Sequence, residues 1–256
     1  MSGVVWRIVM LALVVFLVSP ILLLAFFSFN DGGIAAFPVD TLSLRWWRAM
    51  IEDQSFRAAL ANSLWIGVTV ALIASALGTM AALGLAQMPR RPAEATIAML
   101  SLPLMLPPMV LGVSLLSFYV RLKVPLGFAT VVMSHLLFTL PFVIIVVYAR
   151  LRSFNFAMVE SARDLGASPM RAFMTITLPN IRLAVIGGGL LALALSLDDF
   201  VVTFFTIGTG NTLPTFVWGM IRTSLTPLAN AIGTLIIFFS LGMTLVAAYL
   251  LRTSRN

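Results

Sequence analysis

The sequence predicts an all-α membrane protein with six transmembrane helices. Of its 256 residues, 61% are hydrophobic and 10% are charged, and the mean hydropathy is +1.07. The apolar residues form separate runs of about 20, which is the length that an α-helix needs to cross the hydrocarbon core of a bilayer. Strands of a transmembrane barrel alternate apolar and polar residues, and these runs do not.

The first region, residues 1–57, is predicted to contain one transmembrane helix and a loop. The helix spans about residues 8–27 and follows Arg7. A cleaved signal peptide has a shorter apolar region and a small-residue cleavage site, so we predict that this helix stays in the protein. The mixed polarity of residues 30–57 predicts a surface loop with a short amphipathic helix near residues 44–50.

The second region, residues 58–251, is predicted to hold the other five spans. They cover about residues 58–86, 95–119, 128–148, 183–207 and 230–251. Three prolines between positions 103 and 108 interrupt the third span of the chain, which we expect to kink or unwind there. A polar segment, residues 150–182, separates the fourth and fifth spans, and a polar connector of roughly 20 residues precedes the sixth.

The distribution of basic residues predicts the orientation. Six spans place both termini on one side of the membrane. Ten of the sixteen basic residues lie on that side: Arg7, Arg90, Arg91, Arg150, Arg152, Arg163, Arg171, Arg182, Arg252 and Arg255. The other six are Arg45, Arg48, Arg57, Arg121, Lys123 and Arg222. Because cytoplasmic loops are enriched in Lys and Arg, both termini and residues 150–182 are predicted to be cytoplasmic.

Composition also limits the chemistry of the chain. The absence of cysteine excludes disulfides and thiolate sites, and a single histidine, His135, excludes a two-histidine metal motif. We expect His135 to be hydrogen-bonded inside the bundle. The only lysine, Lys123, does not end a G-x-x-x-x-G-K-[ST] loop, so an ATP-driven role requires another chain. The net charge of +7 comes from arginines that flank the spans, and no nucleic-acid partner, metal or catalytic residue is predicted.

Residues 155–179 carry the signals of two short helices joined by a tight turn. Gly166 stands where a left-handed C-terminal cap belongs. Ser168 and Pro169 are typical of the cap and first position of a second helix, which we expect to stop before Pro179. Local physics favours equally a compact protrusion that meets a partner and an ordinary loop that caps the bundle.

The same segment resembles a known motif. The run Glu160-Ser161-Ala162-Arg163-Asp164-Leu165-Gly166-Ala167-Ser168-Pro169, with Phe173 and Leu178-Pro179, is similar to the EAA-type loop of bacterial ABC import permeases. Its place before the penultimate span agrees with that family, and Ser161 replaces the usual alanine with another small residue. The resemblance implies the type I ABC importer permease fold, in the bacterial inner membrane. The residues that it assigns to the ATPase-docking loop, or to its support, are Glu160, Ala162, Asp164, Gly166, Ser168 and Phe173.

The resemblance also implies partners. A cytoplasmic ATPase dimer would dock on the coupling-helix loop and bind ATP and Mg²⁺, whereas this chain would hold no cofactor and catalyse no reaction. A second permease subunit, identical or homologous, would complete the channel. A periplasmic substrate-binding protein would deliver the substrate.

Asp198 and Asp199 lie midway along the predicted fifth span. A carboxylate at the bilayer centre costs about 2.5 to 3.5 kcal/mol, so neither is expected to face lipid. No arginine or lysine lies at comparable depth, so the acids would bind a cation in transit, contact another subunit or be protonated. The alternative is an acid that caps a broken helix.

Residues 196–200 also resemble the permeases of polyamine importers, which implies a substrate such as putrescine or spermidine. Another amino compound carried by the same family stays open. Asn62 and Trp65, near the outer end of the second span, are further candidates for the substrate pathway, since tryptophan attracts alkylammonium groups. The alternative is a helix-packing asparagine and an interfacial tryptophan.

Two other classes of function fit the sequence less well. An intramembrane aspartyl protease needs carboxylates that face each other from different helices, and these two are neighbours on one predicted helix. A self-sufficient secondary transporter is built from internal repeats, and no clear repeat is visible. It would also leave the polar segment at residues 150–182 unexplained.

Overall fold

The computed structural model describes residues 2–34, 36–39, 41–223 and 227–253. Arg255 and residues 224–226 of the predicted connector lie outside this part of the chain. The helices are α1 (Ser2–Phe27), α2 (Arg45–Glu52), α3 (Gln54–Ala86), α4 (Arg90–Leu100), α5 (Pro108–Arg121), α6 (Phe128–Arg152), α7 (Ala157–Asp164), α8 (Pro169–Ala172), α9 (Leu178–Asp198), α10 (Val201–Thr206), α11 (Leu213–Thr223) and α12 (Pro227–Thr253). The described residues form no β-strand, which confirms the all-α prediction.

Five helices within the described ranges are long and apolar enough to cross a membrane. They are Gly3–Phe27, Gln54–Ala86, Phe128–Arg152, Pro169–Asp198 and Pro227–Leu250. The predicted third span of the chain is broken, as its prolines indicate. Helix α4 ends at Leu100, a 3₁₀ turn covers Leu102–Met105, and α5 starts at Pro108, where a proline needs no intrahelical N–H donor.

Helices α3 and α6 run in the same direction. Ile66 of α3 packs in one cluster with Val131 of α6, and Gly78, further along α3, faces Val143, further along α6. Two parallel neighbours require a connection that returns to the starting side. Residues 87–127, which contain α4 and α5, therefore lead the chain back across the thickness of the bundle although neither helix is long enough alone.

Helix α9 runs antiparallel to α3 and α6. A Cβ atom built on Gly67 of α3 would lie 3.2 Å from Leu197, near the end of α9. A Cβ on Gly189, earlier in α9, would collide with Ser75, later in α3. The contacts therefore follow one another in opposite order along the two helices.

The three helices come close together at Val143, whose side chain is fully buried. A Cβ atom built on Gly78 of α3 would lie 2.8 Å from Val143 Cγ1, and one on Gly188 of α9 would lie 3.3 Å from it. Small residues at such positions let helix backbones approach one another. Val143 belongs to a core cluster that also contains Ala82, Val147, Leu151, Ile181 and Ala192.

The junction between α8 and α9 differs from the prediction. The second short helix does not stop before Pro179 but continues through a π-helical turn, Phe173–Thr177, into α9. Pro179 has no N–H to donate, and the π-helical turn directly before it accommodates the proline within the continuing helix. The Leu178 N–H instead donates to the Phe173 carbonyl, and the Asn180 side chain donates to the Ile176 carbonyl over 2.7 Å.

The predicted span over residues 183–207 is not one continuous helix. Helix α9 ends at Asp198, Asp199 is extended (ψ 122°), and the chain turns again into the short α10. The two acids therefore lie at a break between helices and not in the middle of one. Sequence periodicity missed this break because the apolar residues continue on both sides of it.

The contacts divide the chain into two units, Met1–Leu60 with Thr212–Phe239, and Ala61–Asn211 with Ser240–Asn256. The core of the first unit contains Met50, Phe56, Leu213 and Ile232. The described part of the predicted polar connector contains α11, because Phe216, Val217 and Met220 pack against this core. The boundary after residue 57 stays a prediction.

Substitution of Gly78 tests the close crossing at Val143. We expect Gly78→Ala to destabilise the protein by about 1–3 kcal/mol, since the new methyl group collides with the buried Val143. Gly84→Ala is the matched control, because a Cβ there has open space within 4 Å and alanine is the better helix former by about 1 kcal/mol. Thermal unfolding in detergent measures both. Equal midpoints for the two variants would contradict the packing.

Candidate functional site

The turn between α7 and α8 has the geometry that its sequence predicts. We call residues 157–177 the hairpin. Gly166 has φ +87°, its N–H donates to the Arg163 carbonyl over 2.9 Å, and the Ala167 N–H donates to the Ala162 carbonyl over 3.0 Å. This pair of bonds is a Schellman motif, which ends a helix with one left-handed residue. A Cβ on Gly166 has open space, so conformation and not crowding favours glycine.

The second helix of the hairpin begins at Pro169, as predicted. Ser168 is extended, and its Oγ accepts a hydrogen bond from the Arg171 N–H over 3.3 Å. This bond satisfies one of the free donors at the start of the helix. The Schellman motif at Gly166 and the Ser168 cap therefore fix the conformation of the turn.

The hairpin exposes several large apolar side chains beside its charged ones. Leu165 is 90% exposed, and Met158, Met170 and Met174 are exposed as well. An open cavity of about 690 Å³ lies beside it, between the end of α3 and the hairpin. Exposed apolar patches of this kind mark interaction surfaces.

The six residues that the EAA-type resemblance selects all lie in the hairpin. Glu160 and Phe173 line the cavity, Gly166 and Ser168 shape the turn, and Asp164 ends α7 on the exposed side. Ala162 supplies the carbonyl that closes the Schellman motif. The structure thus brings together residues that the sequence spreads over two helices and a turn.

The second feature is the break between α9 and α10, where the two acids have different surroundings. The Asp199 side chain is only 14% exposed. Its Oδ2 accepts hydrogen bonds from the Thr203 N–H over 2.8 Å and from Thr203 Oγ1 over 2.9 Å, and it lies 3.3 Å from His135 Nε2. The carboxylate therefore caps the first turn of α10, where the helix dipole favours negative charge.

His135 is 1% exposed and uses both ring nitrogens. Nδ1 lies 2.7 Å from Ser196 Oγ, and Nε2 lies 2.9 Å from Thr203 Oγ1. A neutral ring satisfies every group if Ser196 donates to Nδ1 and Nε2–H is shared between Thr203 Oγ1 and Asp199 Oδ2, while the Thr203 hydroxyl donates to Asp199. We call His135, Ser196, Asp199 and Thr203 the His135 network. Leaving a buried donor or acceptor of this network unsatisfied costs about 1–3 kcal/mol.

The crossing at Val143 also sets the register of this network. His135 precedes Val143 by eight residues on α6, and Ser196 follows Gly188 by eight residues on α9. Because the helices are antiparallel and Val143 faces Gly188, the same register brings His135 to Ser196. The predicted burial of His135 is confirmed.

Asp199 has partners within the chain, as in the alternative of an acid that caps a broken helix, and its place in the substrate pathway stays a prediction. Asp198 is exposed and makes no ion pair within 4.0 Å among the described residues. The overlooked signal is the spacing of Ser196, Asp199 and Thr203, at i, i+3 and i+7. These three polar side chains and Asp198 interrupt an otherwise apolar run within eight residues.

Asn62 and Trp65 lie on α3. The Asn62 side chain donates to the Asn211 carbonyl over 2.9 Å, so it holds the segment that follows α10. Trp65 is 67% exposed and stands two residues, or about 200°, around the helix from Gly67, which faces α9. Trp65 therefore lies on the side of α3 that points away from α9.

Comparison with known proteins identifies the family. Residues 74–256 match the family described as "Binding-protein-dependent transport system inner membrane component". The chain belongs to this family. It is a multi-pass permease of the inner membrane and not an enzyme, as expected from the EAA-type motif; the intramembrane protease alternative is wrong.

Curated relatives cover almost the whole permease. The putrescine transport system permease protein PotI of Escherichia coli K12 is 37% identical over 241 residues, which are 91% of this chain and 85% of PotI. The spermidine/putrescine transport system permease protein PotC of Haemophilus influenzae is 31% identical over 242 residues, which are 94% of each chain.

Solved structures have the same fold. A chain of a bacterial ABC transporter that imports the acidic polysaccharide alginate superposes with a TM-score of 0.70 at 14% identity, covering 98% of this permease and 95% of that chain. A chain of the MetNI methionine ABC transporter, in inward-facing conformations, gives 0.54 at 15% identity, covering 79% and 99%. The predicted importer permease fold is confirmed.

Proposed function

We propose that this permease imports a small organic cation, with putrescine and spermidine as the first candidates. Asp198 carries the proposal, because it is an exposed carboxylate at a helix break without an ion-pair partner in the described ranges. The names of the relatives PotI and PotC point to the same substrate class. A multivalent alkylammonium ion supplies the positive partner that this carboxylate does not have in the described ranges.

Asn62 and Trp65 belong to this proposal as further candidates for the pathway. An exposed tryptophan offers a face to an alkylammonium group. Asn62 contributes through the Asn211 segment that it holds. The substrate assignment depends mainly on Asp198.

The proposed partners follow from the hairpin and the family. A cytoplasmic ATPase dimer docks on the hairpin, and the exposed Leu165 and Met170 beside an open cavity support this assignment. ATP and Mg²⁺ bind to the ATPase, and this chain holds no cofactor. A second permease subunit completes the pathway, and a periplasmic protein delivers the substrate. One alginate importer structure with a TM-score of 0.65 was solved with such a substrate-bound periplasmic protein.

In this scheme ATP binding moves the hairpin, and one helical segment transmits the movement to the substrate pathway. Residues Pro169–Asp198 form a single helical path of 30 residues, from the hairpin to the substrate-facing acid. The π-helical turn at Phe173–Thr177 lies where this path leaves the hairpin. Rigid-body motion of the bundle then gives alternating access.

Both termini and the hairpin are assigned to the cytoplasm from the excess of arginines on that side. Single-cysteine labelling tests this orientation, since the chain contains no cysteine. In spheroplasts, an impermeant maleimide is expected to leave Leu165→Cys unlabelled until the membrane is permeabilised. Thr209→Cys, exposed beyond α10, is the matched control and should react in intact spheroplasts. The reverse pattern would contradict the orientation.

Disruption of the hairpin turn tests ATPase docking. Gly166→Pro should abolish co-purification of the ATPase. Proline cannot adopt φ +87°, and it lacks the N–H that donates to the Arg163 carbonyl. Gly166→Asn is the control, since asparagine tolerates the left-handed region and keeps the N–H. Normal co-purification of a folded Gly166→Pro permease would refute the docking site.

Uptake by the reconstituted importer tests the substrate. We expect Asp198→Asn to raise the KM for labelled putrescine about tenfold or more, because it removes the charge that attracts the cation. Asp53→Asn is the control: it also removes a carboxylate but keeps a good cap for α3. A wild-type importer that takes up neither putrescine nor spermidine, but another amino compound, would reject the polyamine assignment.

A further inference from the structure

We infer that His135 is a positioning residue for transport, which acts through Asp199 to fix the break between α9 and α10 and so to orient Asp198. Asp199 itself belongs to this device and does not bind the substrate. The inference rests on the proposed function, because it assigns different roles to the two acids of the proposed cation site.

The hydrogen bonds of Asp199 carry the first step. Its Oδ2 is engaged by the Thr203 N–H, the Thr203 hydroxyl and His135 Nε2, at distances of 2.8 to 3.3 Å. A passing ammonium group would have to displace donors from a largely buried carboxylate. Asp198, its exposed neighbour, offers an acceptor that needs no such exchange.

The position of His135 carries the second step. One imidazole ring, held on the long helix α6, contacts Ser196 before the break and Thr203 after it. Asp199, between them, has left the helical conformation. The ring therefore bridges both sides of a point at which the backbone ladder is interrupted, and the break cannot open or rotate without losing these contacts.

The consequence for Asp198 is geometric. As the last residue of α9, it takes its direction from the end of that helix and from the extended Asp199 that follows. Loss of the His135 contacts frees this junction while leaving the Asp198 carboxylate intact. A positioning defect therefore leaves the charge of the Asp198 carboxylate unchanged but makes its correct placement less frequent. Such a defect lowers Vmax more than it raises KM.

Four variants of the complete reconstituted importer separate the roles by putrescine uptake. Asp198→Asn is expected to raise KM about tenfold or more, with Vmax changed less than about threefold. Asp199→Asn and His135→Ala should show the opposite split, with Vmax about tenfold lower and KM nearly unchanged. His135→Gln, whose amide keeps a donor near the position of Nε2, should recover at least about half of the lost Vmax.

Controls exclude a general loss of structure. Ser134→Ala removes a neighbouring buried hydroxyl of α6 that bonds to Tyr119 and not to the network, and it should transport normally. Each variant is compared only as an assembled complex with ATPase bound. The inference is overturned if Asp199→Asn raises KM as Asp198→Asn does, or if His135→Ala leaves Vmax unchanged.

A double-mutant cycle tests the pair without any substrate. Thermal unfolding of the complex should show that His135→Ala and Asp199→Asn together cost less than the sum of the two single changes, because they remove the same contact. His135→Ala and Asp198→Asn should be additive. Additive costs for the first pair would overturn the inference. Failure of wild-type putrescine uptake alone would reject only the substrate proposal, and the cycle then decides the role of His135.

Discussion

The close crossing of α3, α6 and α9 at Val143 is the constraint on which the second unit of this permease depends. Gly78 and Gly188 leave room for one fully buried valine, so three backbones meet where larger residues would hold them apart. The crossing fixes the register of α6 against α9. That register then places a histidine from one helix against a serine from the other, eight residues away from the crossing on each.

The burial of polar groups explains why the chain breaks between α9 and α10. A carboxylate inside an apolar bundle needs donors, and Asp199 finds them at the start of α10 and on His135. To reach them the chain leaves the helix immediately after Asp198. One acid thereby becomes part of the framework and the other stays exposed, so two adjacent and chemically identical residues have different surroundings.

The hairpin and this break lie at opposite ends of one helical path. Residues Pro169–Asp198 run from the turn at Gly166 to the exposed acid, and the π-helical turn near its start accommodates Pro179 without ending the helix. A rigid element of this kind transmits displacement over its length better than a flexible loop. In the proposed scheme, this path connects the ATPase-docking hairpin to the substrate pathway of a permease of this family.

The sequence by itself determined the features that depend on local chemistry: helices long enough for a bilayer, the interruption at the prolines, and the cap at Gly166 with the helix start at Ser168. Each follows from a few neighbouring residues and their backbone preferences. Only the tertiary structure decided the continuation through Pro179, the break at Asp199 and the pairing of Asp199 with His135. The last two depend on residues 61 to 68 positions apart along the chain, and helix packing, not periodicity, brings them within hydrogen-bonding distance.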